Sequence, residues 1–370
     1  MNLLIDATNI APGGGLIVMG NLLRQWQMLG VDIRAKAIVS RKATAEGLKK
    51  FRDDMEIIPF MPDASSAEVF IGRQFRLGRQ VEKLHCDVVF AIGGMIGHCG
   101  LPQYVHHQNL WSFQHKTIVQ TMRLLGLKDT CRCRLQRSGT VRALKNAKCN
   151  TFISDYMRHL ACTMIPSSES RSFTVSNAAA VEVKHDNFNP SAKPIIAAIQ
   201  NADYYKDALT LTGVLAECVN RRPDVDWRLK IAGGGNWNYV RRMADKLGVL
   251  DRIAFLGHSS LDEITKLLDE AFCLIFPSRC EGFGIPPLDA MARGCAVISS
   301  NVDALPEVVG DGGVLISPGN AGCFAEIAVE LWNDTARRKK LVDAGYLQVE
   351  KFSWERSASK LAELLLRDMI

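Results

Sequence analysis

The sequence predicts an α/β fold built on two parallel sheets, each covered by helices on both faces. Three observations predict it. Short apolar runs of strand character alternate with longer helical patterns along all 370 residues, the pattern of parallel strands joined by crossover helices. The runs are numerous enough for two sheets rather than one. A polar stretch with two prolines, 186–194, interrupts the pattern before a fresh strand begins, as a domain boundary does. The expected domains are 1–190 and 191–350, followed by a C-terminal helix over 351–370 that packs back toward the first domain.

Taken in order, the strand candidates are Asn2–Ile5, Ile33–Ile38, Val88–Ala91, Gln103–His106, Thr151–Ile153, Ile195–Ile199, Arg228–Ala232, Ile253–Phe255, Cys273–Phe276 and Ala296–Ser299. Most are near-continuous aliphatic runs, as strands buried on both faces are. Helical patterns fill the intervals at Gly20–Leu29, Ala208–Val219, Tyr239–Leu247, Leu261–Asp269 and Cys323–Trp332. The last stretch, from Trp354, is amphipathic, with Ser353 in place to cap it.

Composition narrows the class. Apolar residues make up 47% and charged residues 23%, the balance of a globular protein. No apolar run approaches the ~18 residues of a membrane span. Met1–Asp6 reads as a strand and not as a leader segment, so a cytoplasmic protein is expected. The eleven cysteines are scattered; Cys131 and Cys133 have no partner pair at zinc spacing, and reduced, mostly buried thiols are expected.

The net charge of +6 is local. Between Lys116 and Lys148 there are nine bases and one acid, a net +8, so the remainder of the chain carries −2. Apolar residues such as Ile118, Met122, Leu125 and Leu135 are interleaved with Arg132, Arg134 and Arg137. A basic amphipathic stretch of this kind suits an anionic membrane surface. It lacks the aromatic residues and motif of a nucleic-acid site, and no nucleic-acid partner is expected.

Chemistry is sought in loops after strands, because ligands of open α/β sheets bind at the carboxyl ends of strands. The richest segment is Phe276–Ser299. It reads as strand, glycine loop, helix and strand. Gly282 and Gly284 let backbone N–H groups approach a ligand, and the helix N-terminus behind them favours an anion. Pro286 or Pro287 suits the first helical turn and Gly294 the position that ends it. Glu281 and Asp289 flank this loop and could accept hydrogen bonds from sugar hydroxyls.

Here the segment resembles the E-x7-E signature of GT-B retaining glycosyltransferases, the group called family 4 or glycosyl transferases group 1. Leu305–Val309 with Gly310–Pro318, Ile253–Gly257 with Ser259–Leu268, and Phe352–Glu355 are similar to that family's neighbouring elements, so the likeness spans about 195–370. The resemblance implies a GT-B fold, two Rossmann-like domains with parallel sheets facing across a cleft. It implies a nucleotide-sugar donor and a glycan or lipid-diphosphate-linked acceptor, in polysaccharide or lipopolysaccharide assembly. It also implies roles. Glu281 contacts the donor hexose, and the N–H groups of Gly282, Phe283 and Gly284 face the sugar and phosphates. Lys206 matches the diphosphate-binding lysine. Asp289 stands where a second glutamate holds the ribose, and Asn201 where an arginine often sits. Gly233 and Gly234 match a nucleoside-facing loop, and Gly14 and Gly15 a first-domain loop toward the diphosphate. His107, with Gln108 and Asn109 beside it, is the expected open-facing histidine near the reacting sugar, because alternation along the strand turns one of His106 and His107 into the core.

The expected reaction needs no metal or other cofactor, and no His-x-His or Asp-x-Asp pattern is placed to bind one. The expected site is the cytoplasmic face of a membrane, with the protein peripheral on it. Two other readings share the fold, a sugar-nucleotide 2-epimerase and a non-catalytic nucleotide-sugar-binding protein. The paired acids 281 and 289 favour transfer.

Overall fold

The structure, a computed structural model, describes the chain except for residues 11, 12, 63, 114–126, 186, 187, 191, 192 and 368–370, and except for the side chains of 66, 67 and 127–133. Its contacts divide it into two compact units, Met1–Asn177 with Ser353–Ile370, and Ala178–Phe352.

The first unit carries, among the described residues, a seven-stranded parallel sheet in the order β3-β2-β1-β4-β5-β6-β7. The strands are β1 (Asn2–Asp6), β2 (Arg34–Val39), β3 (Glu56–Pro59), β4 (Val88–Ile92), β5 (Gln103–His107), β6 (Cys149–Phe152) and β7 (Ser172–Thr174). The central strands β4 and β5 are buried along their whole length, as a sheet covered on both faces requires. The C-terminal helix Trp354–Leu366 belongs to this unit. Ser353 accepts from the Arg356 N–H (3.3 Å) and caps the helix. The Trp26 indole N–H, from the helix Gly14–Met28, donates to the Ala358 carbonyl at 2.8 Å.

The second unit holds, among the described residues, a six-stranded sheet in the order β10-β9-β8-β11-β12-β13, again parallel throughout. Its strands are β8 (Lys193–Ile199), β9 (Arg228–Ala232), β10 (Ile253–Gly257), β11 (Ala271–Phe276), β12 (Ala296–Ser300) and β13 (Gly313–Ile316). The strand order reverses between β8 and β11, the switch point at which ligands of such sheets bind. Ile196, Ala198, Leu229, Ile231, Cys273 and Ile275 form the middle of its core. Trp227 packs against Phe272 and Trp332, with ring centroids 5.7 and 5.6 Å away.

The division between units falls at Asn177, upstream of the expected break near 190. Hydrogen bonds explain the shift. The Ala180 N–H donates to Asp289 and the Lys184 N–H to the Ala292 carbonyl, so 178–185 is bound into the second unit. The described cysteines are free thiols, mostly buried. Among the described residues no helix is long and apolar enough to cross a membrane.

Candidate functional site

The site is built on the two strands at the switch point of the second unit. β8 leads into a short turn, Tyr204–Lys206, and then the helix Ala208–Arg221. β11 leads into the loop 277–284 and then the helix Ile285–Ala292. Pro286 and Pro287 stand in the first turn of that helix, where a missing N–H costs nothing. Gly284 caps it at a φ of 119°, and a Cβ there would meet Leu305 at 2.7 Å. Only glycine takes this position without strain.

Lys206 and Glu281 meet. The lysine Nζ stands 2.6 Å from Glu281 Oε1, with 18% and 10% of the two side chains exposed. The same ammonium lies 5.3 Å from the Tyr205 ring centre and 5.5 Å from that of Phe276. Burial acts to lower the lysine pKa, but the Glu281 carboxylate and its hydrogen bond outweigh this and raise it, so Lys206 is a fixed cation. Burial pushes the Tyr205 phenol up to about 12. Glu281 is in turn located from behind, its N–H donating to Asp303 at 3.1 Å.

Asn201 and the glycine loop form a second cluster. Asn201 Oδ1 accepts from the Gly234 N–H at 3.0 Å, and the Trp237 indole donates to the Gly233 carbonyl at 3.2 Å. Asn201 thus sets the loop at the ends of β8 and β9, a task an arginine's donors could not perform. Phe283 is 2% exposed, its ring edge-on to Phe352 at 5.3 Å. Its side chain is core.

Asp289 departs from expectation. Its Oδ1 accepts from the backbone N–H groups of Ala180 (2.6 Å) and Val181 (3.3 Å), and the residue is 4% exposed. The carboxyl is engaged on the chain's own backbone and does not present itself to a ribose. Burial raises its pKa to about 7 against those two donors, which favour the charged form. The folded state therefore holds this proton more tightly than the unfolded chain. Its contribution to stability is full below about pH 4 and is lost as pH rises through about 7. Asp289→Asn is expected to flatten this part of the pH dependence in urea unfolding between pH 5 and 8; an unchanged slope contradicts the assignment.

In the first unit, Gly14 and Gly15 open the helix Gly14–Met28, and a Cβ at Gly15 would stand 3.2 Å from the Gln108 carbonyl oxygen Oε1. His107 does not face outward. It is 2% exposed, stacked on Phe152 at 4.9 Å, with Nε2 2.9 Å from Asn150 Oδ1. Burial lowers its pKa to about 4, and that of His106 to about 3. Both rings are neutral at pH 7, one on each covered face of β5. Asn109 Oδ1 accepts from the Trp111 N–H and caps a short turn. Arg137 donates to the Ser112 and Phe113 carbonyls, Arg134 is exposed, and the side chain of Arg132 lies outside the described residues.

Two features were not singled out in the sequence. Asp6, at the end of β1, forms a buried ion pair with Arg73 and also accepts from Thr8. Asp303, at a φ of 52°, positions Glu281. An acid at the end of a buried strand was the available signal for Asp6. Among the described residues no group of three or more His, Cys, Asp or Glu could hold a metal ion.

Two parallel sheets in one chain, each with a switch point, together with the superpositions given below, place the chain in the GT-B class of fold. Residues 182–348 match the family described as glycosyl transferases group 1, and the resemblance read from the sequence holds over that segment. The chain is 36% identical to the O-antigen chain mannosyltransferase B of Escherichia coli over 103 residues, 28% of this chain and 27% of that protein. It thus spans about a quarter of that relative's length, and less than half of the D-inositol 3-phosphate glycosyltransferase of Corynebacterium glutamicum, 28% identical over 44% of its length. Among solved structures, Anabaena Alr3699/HepE in complex with UDP-glucose superposes with a TM-score of 0.75 at 15% identity, covering 99% of each chain. WaaG, a glycosyltransferase involved in lipopolysaccharide biosynthesis, gives 0.74 at 14% identity, with 98% of this chain and 99% of that one covered.

Proposed function

We propose that the protein is a retaining glycosyltransferase that moves a hexose from a nucleotide-sugar donor to a hydroxyl of a glycan or lipid-linked acceptor. The observation that carries this reading is the Lys206–Glu281 pair at the β8/β11 switch point, next to the glycine-capped helix N-terminus. A buried cation and backbone N–H groups suit a diphosphate, and a carboxylate beside them suits sugar hydroxyls. The matched family, and relatives named for mannosyl transfer to O-antigen chains and for binding UDP-glucose, support it.

In the proposed reaction the bond between the sugar's anomeric carbon and the diphosphate oxygen breaks, leaving an oxocarbenium-like sugar. The acceptor oxygen bonds to that carbon on the same face. Its proton passes to the departing phosphate oxygen. Lys206 and the N–H groups of Gly282, Phe283 and Gly284 offset the charge developing on the diphosphate, so the chain supplies electrostatics and positioning instead of a nucleophile. The reaction is proposed to need no metal. His107, buried and neutral, takes no part in it.

A thermal-shift screen against UDP-, GDP-, ADP- and TDP-linked sugars tests the donor. A donor at a hundred times its Kd adds about 2.7 kcal/mol to stability, a rise of a few degrees. No shift with any of the four contradicts the reading.

The acceptor is proposed to be held at the cytoplasmic face of a membrane, through the basic stretch Lys116–Lys148. Sedimentation with liposomes of rising anionic content is expected to bring the protein down, with release by salt. Recovery in the supernatant at every composition ends that part of the proposal.

A further inference from the structure

Asp207, directly after Lys206, sits at a φ of 53°. Aspartate is one of the few residues besides glycine that visits this left-handed region, because its short polar side chain can hydrogen-bond locally. Its 9% exposure and its contacts give the carboxylate a purpose. Oδ2 accepts from the Thr210 hydroxyl at 2.9 Å and pairs with Arg279 Nη2 at 2.7 Å. Arg279 holds the same turn a second way, its N–H donating to the Tyr205 carbonyl at 2.7 Å. The Ser278 hydroxyl reaches that carbonyl at 3.4 Å. Gly319, at a φ of 78°, makes room for the guanidinium; a Cβ there would stand 2.6 Å from Nη2. The β11 loop therefore grips the Lys206 turn through ties separate from the Lys206–Glu281 pair.

We propose that Arg279 and Asp207 are positioning residues, a clamp that fixes the turn so that the Lys206 ammonium stays aimed at the ligand. The clamp rests on the donor-site reading of Lys206. The Arg279 side chain is 47% exposed, so its ion pair contributes little stability. Its effect belongs in ligand affinity.

Calorimetric titration of the full chain with UDP and with GDP tests the clamp. For the nucleotide that binds more tightly, Arg279→Gln is expected to weaken binding about fivefold to tenfold, with the melting temperature nearly unchanged. Asp207→Asn should match it and Arg279→Lys should recover most of the loss. In a Lys206→Met background, Arg279→Gln should change affinity less than about twofold, because its route of action is gone. Wild-type affinity in Arg279→Gln and Asp207→Asn, with Lys206→Met weakened, overturns the clamp alone. An undiminished Arg279→Gln effect in the Lys206→Met background also overturns it. Wild-type affinity in Lys206→Met, or no binding to the unsubstituted chain, overturns the donor-site reading and the clamp with it.

Discussion

Lys206→Met is expected to cut turnover by about 100-fold or more, the scale on which removal of one preorganised charge-stabilising donor acts. Methionine is unbranched and one atom shorter, and it removes the ammonium that lies over the Tyr205 and Phe276 rings. The substitution also leaves Glu281 largely buried without its partner. Exposed pairs are worth about 0–1 kcal/mol and breaking a fully buried one costs about 3–5; this pair, at 18% and 10% exposure, falls between. Adding Glu281→Gln to the variant should restore part of that stability and none of the turnover. Steady-state rates with the donor chosen by thermal shift, alongside urea unfolding, separate the two effects. Turnover at the unsubstituted level in Lys206→Met contradicts the role given to the ammonium.

Gly233→Ala is expected to cost at least about 2 kcal/mol and to weaken nucleotide binding about tenfold. Gly233 has a φ of 142°, and a Cβ there would overlap the Gln200 carbonyl oxygen. The loop has no freedom to yield. The Gly233 N–H donates to the Gly257 carbonyl at 2.7 Å, the Ala202 N–H to the Gly234 carbonyl at 2.9 Å, and Gly234 is tied to Asn201. Gly248→Ala in the same unit is the control. It has a φ of 70° with nothing within 4 Å of the added carbon, so only the backbone cost of about 1 kcal/mol applies. Equal costs in the two variants contradict the close approach at 233.

The parallel sheets were legible because their central strands are buried on both faces and read as unbroken apolar runs, as in β11, Ala-Phe-Cys-Leu-Ile-Phe. The edge strands β3, Glu-Ile-Ile-Pro, and β7, Ser-Phe-Thr, are 4 and 3 residues long, too short to give such a signal. The turn at Gly282–Gly284 and the helix after it were legible from local chain geometry, glycines between a strand and a proline-led helix. The roles of Lys206, Glu281 and the Gly233–Gly234 loop came from the family resemblance, because a lysine or a glycine pair in a loop carries no such signal by itself. The misread residues depend on distant partners. Strand alternation assigns His106 and His107 to opposite faces, but both faces of β5 are covered, so neither ring emerges. Asp289 is turned inward by Ala180, 109 positions away, which helical periodicity cannot reveal. Asn201 stands where the resemblance often has an arginine; its hydrogen bond with Gly234 makes it the loop's anchor, which the sequence did not reveal.

The most direct measurement is a crystal structure of the protein soaked with the nucleotide that stabilises it best. The diphosphate is predicted to lie against Lys206 Nζ and the N–H groups of Gly282–Gly284, with Glu281 turned to the sugar. Phosphate density anywhere away from the β8/β11 switch point contradicts the account.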